Sequence, residues 1–109
     1  MKDLLRELIE KFNAKAATDP SLQKELEGME RTIQITTDRA SYHMSLRDCR
    51  ITALEDGGAE EPELNILADE ETLRGVLQGD IPTFKAMATG KLKVKASLED
   101  ALRLRKLLS

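Results

Sequence analysis

Between Thr32 and Leu46 the apolar residues fall on alternate positions: Ile33 and Ile35, then Tyr42, Met44 and Leu46 beyond a turn at Thr37–Arg39. Strands send successive side chains to opposite faces, so this spacing calls for a hairpin with one apolar face. The same alternation puts Ser41, His43, Ser45 and Arg47 on the other face. An apolar sheet face must be covered, and the cover lies upstream. Across Met1–Ala17, Leu4, Leu5, Leu8, Ile9 and Phe12 recur at helical spacing, with Asp3 placed to cap the helix. Arg6–Glu10 and Glu7–Lys11 are spaced as i,i+4 ion pairs on its polar side. Acids match bases there, which suits a core helix better than one lying on a membrane.

The rest of the chain alternates strands and helices in the same way. Asp19-Pro20 opens a second short helix with Leu22 and Leu26 inward and Gly28 as its stop. Asp48-Cys49 makes the next turn, and cysteine's poor tolerance of positive φ argues against a tight type I′ form. Ile51–Glu55 reads as a third strand and Asp56–Pro62 as a polar loop. In a fourth strand, Glu63–Ala68, Leu67 breaks the alternation of Leu64 and Ile66, which a bulge would accommodate. Asp69 caps a helix through Gln78 carrying Leu73, Val76 and Leu77, and Gly79 stops it. Asp80 and Pro82 start another helix, and Gly90 ends it in the left-handed conformation glycine reaches without strain. Leu92, Val94 and Ala96 then alternate with Lys91, Lys93 and Lys95 as a last strand. Ser97 and Asp100 have capping-box spacing ahead of a closing helix with Leu98, Ala101, Leu102, Leu104, Leu107 and Leu108. These elements predict one α+β domain over residues 1–109 in the order α-α-β-β-β-β-α-α-β-α. Its five-stranded mixed sheet would carry the helices on one face, with the fifth strand parallel to a neighbour through a crossover.

Composition narrows the function. The net charge of −3 and three aromatic residues argue against nucleic acid as a partner. No apolar run reaches the length of a membrane span, and Asp3, Glu7 and Glu10 interrupt any signal-peptide pattern. The ending Leu107-Leu108-Ser109 is not the Ser-Lys-Leu peroxisomal address. One cysteine cannot form an internal disulfide, so a reduced, cytoplasmic protein is expected. Catalysis finds little support. His43 is the single histidine and reads as a solvated side chain. Cys49 lies between Arg47 and Arg50, which favour a thiolate, but Asp48 opposes them. Glu60-Glu61 and Asp69-Glu70-Glu71 read as a loop and a helix start, not a metal cluster, and Gly57-Gly58 lacks the context of a phosphate cradle. The expectation is a protein that is not an enzyme, with no cofactor and no metal.

The run Gly79–Lys95, with its pattern G-D-x-P-x-x-K-A-x-x-x-G-K-L-K-V-K, the Asp69-Glu70-Glu71 helix start and the order of elements resemble the sterol carrier protein 2 family of lipid-binding domains. Met87 stands where that family often has phenylalanine, Ala96 where it often has glycine, and Asp48-Cys49 where it often has Asp-Gly. The resemblance implies an apolar cavity between sheet and helices, walled by Tyr42, Met44, Leu46, Leu73, Leu77, Phe84, Met87, Leu92, Val94 and Leu102. Periodicity alone fits a solid core from the same residues equally well. Lys91, Lys93 and Lys95 are either a solvated strand face or a transient contact for an anionic membrane, which Arg103, Arg105 and Lys106 would extend. The function implied is non-enzymatic binding and transfer of a lipid, fatty-acyl or other apolar ligand, as monomer or homodimer. The alternative is a structural or dimerisation module serving a larger enzyme or pathway.

Overall fold

In the computed structural model, which describes residues 1–52 and 54–100, β1 (Arg31–Thr36) forms the expected hairpin with β2 (Ser41–Arg47). Their register sets Ile33 opposite Met44 and Ile35 opposite Tyr42. All four are buried, as is Leu46. The turn is fastened by Thr37, whose hydroxyl accepts from the Arg39 and Ala40 N–H groups.

The strand expected over Ile51–Glu55 is split in two. β3 (Arg50–Ile51) and β4 (Glu55–Asp56) pair with opposite ends of β2, giving six strands in five positions among the described residues. Asn13 of the first helix grips Ile51 on both sides, donating to its carbonyl at 3.0 Å and accepting from its N–H at 2.8 Å. Between β2 and β3, Asp48 has φ 51° and Cys49 φ 61°. Two positive φ values in a two-residue hairpin loop are the mark of a type I′ turn, against the sequence expectation. The right-handed twist of the arms selects that turn even where no glycine is present. Cys49 is half-buried against the core, and its Sγ donates to the Gln23 carbonyl at 3.6 Å.

From β4 the chain crosses the outer face of the sheet. The Gly57 N–H reaches the Ser41 carbonyl, the Ala59 N–H the Gln34 Oε1, and the Glu63 N–H the Thr32 carbonyl. A Cβ at Gly58 would stand 3.0 Å from that Gln34 oxygen, so the crossing is close. It delivers β5 (Leu64–Ala68) parallel to β1, with Ile33 opposite Leu64 and Ile35 opposite Ile66. β6 (Leu92–Lys95) then runs antiparallel to β5. The parallel strand is therefore the one after the crossing, not the last, and the order is β3-β2-β1-β5-β6. No bulge occurs at Leu67: its register with Lys93 is continuous with Ile66–Val94 and Ala68–Leu92, and its side chain lies on the outer face.

Helices α1 (Lys2–Thr18), α2 (Pro20–Leu26), α3 (Glu70–Leu77) and α4 (Thr83–Ala88) supply the cover. α1 buries Leu5, Ile9, Phe12 and Ala16, one helical stripe. Asp3 lies in its first turn and is not the cap, which is Met1 without a side-chain bond; Arg6 pairs with Asp3 at 3.9 Å. Asp19 caps α2 through the Ser21 and Leu22 N–H groups, and Asp69 caps α3 through the Thr72 N–H at 2.6 Å. Asp80 does not cap α4. Its N–H and that of Ile81 turn back to the Gly75 carbonyl at 2.8 and 3.0 Å, laying Ile81 over Gly75 so closely that a Cβ there would meet Ile81 Cδ1 at 2.5 Å. The Ser97 hydroxyl accepts from the Asp100 N–H at 3.2 Å and residues 98–100 are helical; the expected continuation to Leu108 lies outside the described residues. The Asp100 carboxylate accepts from Arg31 Nε at 2.9 Å.

His43 is not simply solvated. Its Nδ1–H donates to the Gly57 carbonyl at 2.9 Å and its Nε2–H to Glu55 Oε2 at 2.9 Å. Both partners only accept, so both bonds exist together only on the imidazolium, and neither nitrogen is left to act as a base. The Gly57 carbonyl first, then Glu55, raise the His43 pKa above its ordinary value. The folded state thus holds this proton more tightly than the unfolded chain. The stabilisation is complete below the ordinary histidine pKa of about 6.5 and is lost as pH rises through the higher folded value. Thermal melts of wild type and His43→Gln should therefore differ most on the acid side and converge as pH rises; a gap constant with pH would refute the pairing. A second outcome concerns the strained turn. Asp48→Asn combined with Cys49→Gly should stabilise the fold by about 1 kcal/mol, since left-handed backbone disfavours residues with a Cβ by about 1–2 kcal/mol each. Chemical denaturation checks it, and a drop in stability would show that Cys49 packing outweighs backbone relief.

Candidate functional site

The inner face of the sheet is a continuous apolar wall. Ile33 and Ile35 of β1, Tyr42, Met44 and Leu46 of β2, Leu64 and Ile66 of β5 and Leu92 of β6 share one buried cluster with α1, α2, Leu73 and Ala86. Of the residues expected at a ligand site, Tyr42, Met44, Leu46, Leu73 and Leu92 lie inside this cluster. Leu77, Met87 and Val94 are half-buried against it, alongside Val76, Ile81 and Ala96. Phe84 is separated from them: it is 67% exposed, on the outer side of α4. Leu102 lies outside the described residues. Half-buried apolar residues border the wall where α3, α4 and β6 meet, and also at its other margin, at Met1, Cys49, Ile51 and Leu54. Apart from the Tyr42 hydroxyl, the wall's side chains are hydrocarbon and thioether, which can hold an apolar chain. Met44 and Met87 can reshape around an occupant because methionine is unbranched and flexible.

The three lysines of the last strand are all exposed. Lys93 and Lys95 are exposed on the outer face, in register with Leu67 and Asn65. Lys91 instead joins Lys85, Asp80 and Thr89 around a recess of about 170 Å³ that includes Ile81, Pro82 and Ala86. Lys91 also helps to lower the Asp69 carboxyl pKa, after the larger effects of the hydrogen bonds from the Thr72 N–H and hydroxyl. Sequence reading missed Lys85. Its signal was the spacing of Pro82, Lys85, Ala86 and Thr89, which puts them on one side of a helix.

Polar surfaces elsewhere are occupied by their own partners. In the hollow between Asp38 and the start of α3, Glu70 pairs with Arg39 at 3.4 Å and with Arg74 at 3.2 Å, while Asp38 accepts from the Glu70 N–H at 2.8 Å. Among the described residues no three His, Cys, Asp or Glu side chains gather where a metal ion could be held, and no helix is long and apolar enough to cross a membrane.

Comparison with solved structures gives the same architecture. The chain superposes on palmitated SCP2L2 from Aedes aegypti with a TM-score of 0.64 at 16% identity, covering 93% of this chain and 90% of that one. It superposes on the UbiJ-SCP2 ubiquinone synthesis protein with a TM-score of 0.64 at 10% identity, covering 94% and 86%. A sec-alkylsulfatase from Pseudomonas sp. matches with a TM-score of 0.60 at 14% identity over 80% of this chain, which spans only 14% of the sulfatase. These likenesses establish the fold. No curated protein matches the sequence. The profile of the SCP-2 sterol transfer family matches residues 8–109, from α1 through the lysine strand and onward, and the chain belongs to that family.

Proposed function

We propose that this protein binds a lipid, fatty-acyl or other apolar ligand between its sheet and helices, and carries it without chemistry of its own. The observation that carries the reading is the apolar wall, buried at Tyr42, Met44, Leu46, Leu73 and Leu92 and loosening through Leu77, Met87 and Val94 toward α4. The ligand enters on that loosened side, with Phe84 at the rim. Membership of a family described by sterol transfer supports it, as does the palmitated state of the Aedes aegypti neighbour. The magnitudes are adequate. Burying about ten methylenes at about 0.8 kcal/mol each gives about 8 kcal/mol, the scale of micromolar affinity before the costs of association. The same reading includes a transient contact of Lys91, Lys93 and Lys95 with anionic lipid headgroups.

A second reading is an accessory module of a larger enzyme or pathway, favoured by the sulfatase, in which a domain of this fold is a small part of a long chain. Native mass spectrometry separates the two: a co-purifying lipid supports the carrier, an empty dimer the module. The carrier also predicts the effect of filling the loosened margin. Met87→Trp should weaken a fluorescent long-chain fatty acid at least tenfold, about 1.4 kcal/mol, while the melting temperature moves little. If wild type binds no such probe, or the substitution leaves affinity unchanged, the carrier reading fails.

A further inference from the structure

We propose that Tyr42 selects the ligand: its hydroxyl bonds an uncharged oxygen, a hydroxyl or a carbonyl, carried on the apolar molecule well away from the end that stays at the entry margin. The first observation is that Tyr42 is only 8% exposed, yet among the described residues its hydroxyl has no hydrogen-bond partner. A buried tyrosine ordinarily finds one, because a phenol taken out of water keeps its capacity to donate and accept. The other polar side chains buried among the described residues are already engaged, the Thr72 hydroxyl with Asp69 and the Asp100 carboxylate with Arg31.

The second observation is position. Tyr42 stands opposite Ile35, Ile35 opposite Ile66, and Ile66 opposite Val94. Directly opposed residues project from the same side of a sheet, so these side chains form one row across the inner face. The row runs from the half-buried margin at Val94 to Tyr42, three strand spacings of about 4.8 Å, or about 14 Å. Ile66 and Ile35 offer hydrocarbon along the way, and the polar atom comes at the far end. Charge is disfavoured there. Asp56 stands opposite Tyr42 on β4, but it is paired with Lys2 at 2.6 Å, and no cationic side chain is buried among the described residues. A carboxylate brought to Tyr42 would be buried without a counter-charge, which costs far more than burying a neutral oxygen. This assignment rests on the lipid-carrier reading and names the class of ligand within it.

Hexadecanoic acid and its mono-hydroxy isomers are the probes, each displacing a fluorescent long-chain fatty acid from the protein. Wild type should favour an isomer hydroxylated in the distal half of the chain by about tenfold over the plain acid, since a site that bonds a hydroxyl rejects the analogue lacking it. Tyr42→Phe should abolish that preference and leave the plain acid's affinity within about twofold. Its melting temperature without ligand should stay level or rise, because the ring is kept and an unpaired hydroxyl is removed. Equal binding of plain and hydroxylated acids by wild type, or a preference that survives in Tyr42→Phe, overturns the assignment. So does a fall in the melting temperature, which would reveal a bond to the protein itself. Plain acid bound with no hydroxyl preference rejects the role of Tyr42 alone, whereas no binding of any acid rejects the carrier as well.

Discussion

Everything in this fold depends on β1 being paired on both sides, antiparallel to β2 and parallel to β5. Those two ladders place Ile33 and Ile35 between Met44 and Tyr42 on one side and Leu64 and Ile66 on the other. The inner face thereby becomes one apolar surface from Leu46 to Leu92. A surface that wide cannot be left to water, and α1 and α2 close most of it. The other end is covered by α3 and α4, and there Leu77, Met87 and Val94 stay half-buried. The candidate site lies along that half-buried margin.

The outer face of the same sheet is polar and satisfies itself. Gln34 donates to Thr36, Thr36 to Asn65, and Gln34 receives the Ala59 N–H from the crossing segment. This face is thereby fixed to the loop that crosses it, leaving the helix side as the one free to adapt. At the border of the two faces, Arg31 at the head of β1 holds Asp100, which is 7% exposed, at the root of the C-terminal segment. A partly buried, hydrogen-bonded ion pair of this kind sets direction more than it adds stability. It fixes Asp100 against the head of β1.

Much of the fold was legible because its signals are local. Asp19-Pro20 carries its cap and its first-turn proline side by side, and the alternation of Ile33 through Leu46 identifies the hairpin without further information. Asp3 and Asp80 misled because capping spacing is common, and backbone geometry decided against both. The parallel β1–β5 pair was not legible: it depends on contacts that Gly58, Ala59 and Glu63, just ahead of β5, make with Gln34 and Thr32, which lie far from them in sequence. The type I′ turn at Asp48-Cys49 was misread from residue preference, which strand twist overrode. At the candidate site, the identities of the wall residues follow from periodicity, but the outward side of Phe84 and the grouping of Lys91 with Lys85 do not. Both follow from how α4 is seated after Ile81 folds back over Gly75, a contact that no local spacing announces. His43 looked solitary because Glu55 and Gly57 reach it only through the split of the third strand.

That split has a further consequence, together with the lysines of β6. One margin of the sheet ends in two fragments of two residues each, and the other in a four-residue strand whose outward positions are Lys93 and Lys95. Neither margin offers the long, flat, uncharged ladder on which a strand from another copy could grow, and aligning two copies of β6 would set like charges against each other. A protein exposing Phe84 and Leu98 to water carries some risk of association. With fibrillar growth through the sheet disfavoured, that risk is confined to the helical side, where contact remains reversible.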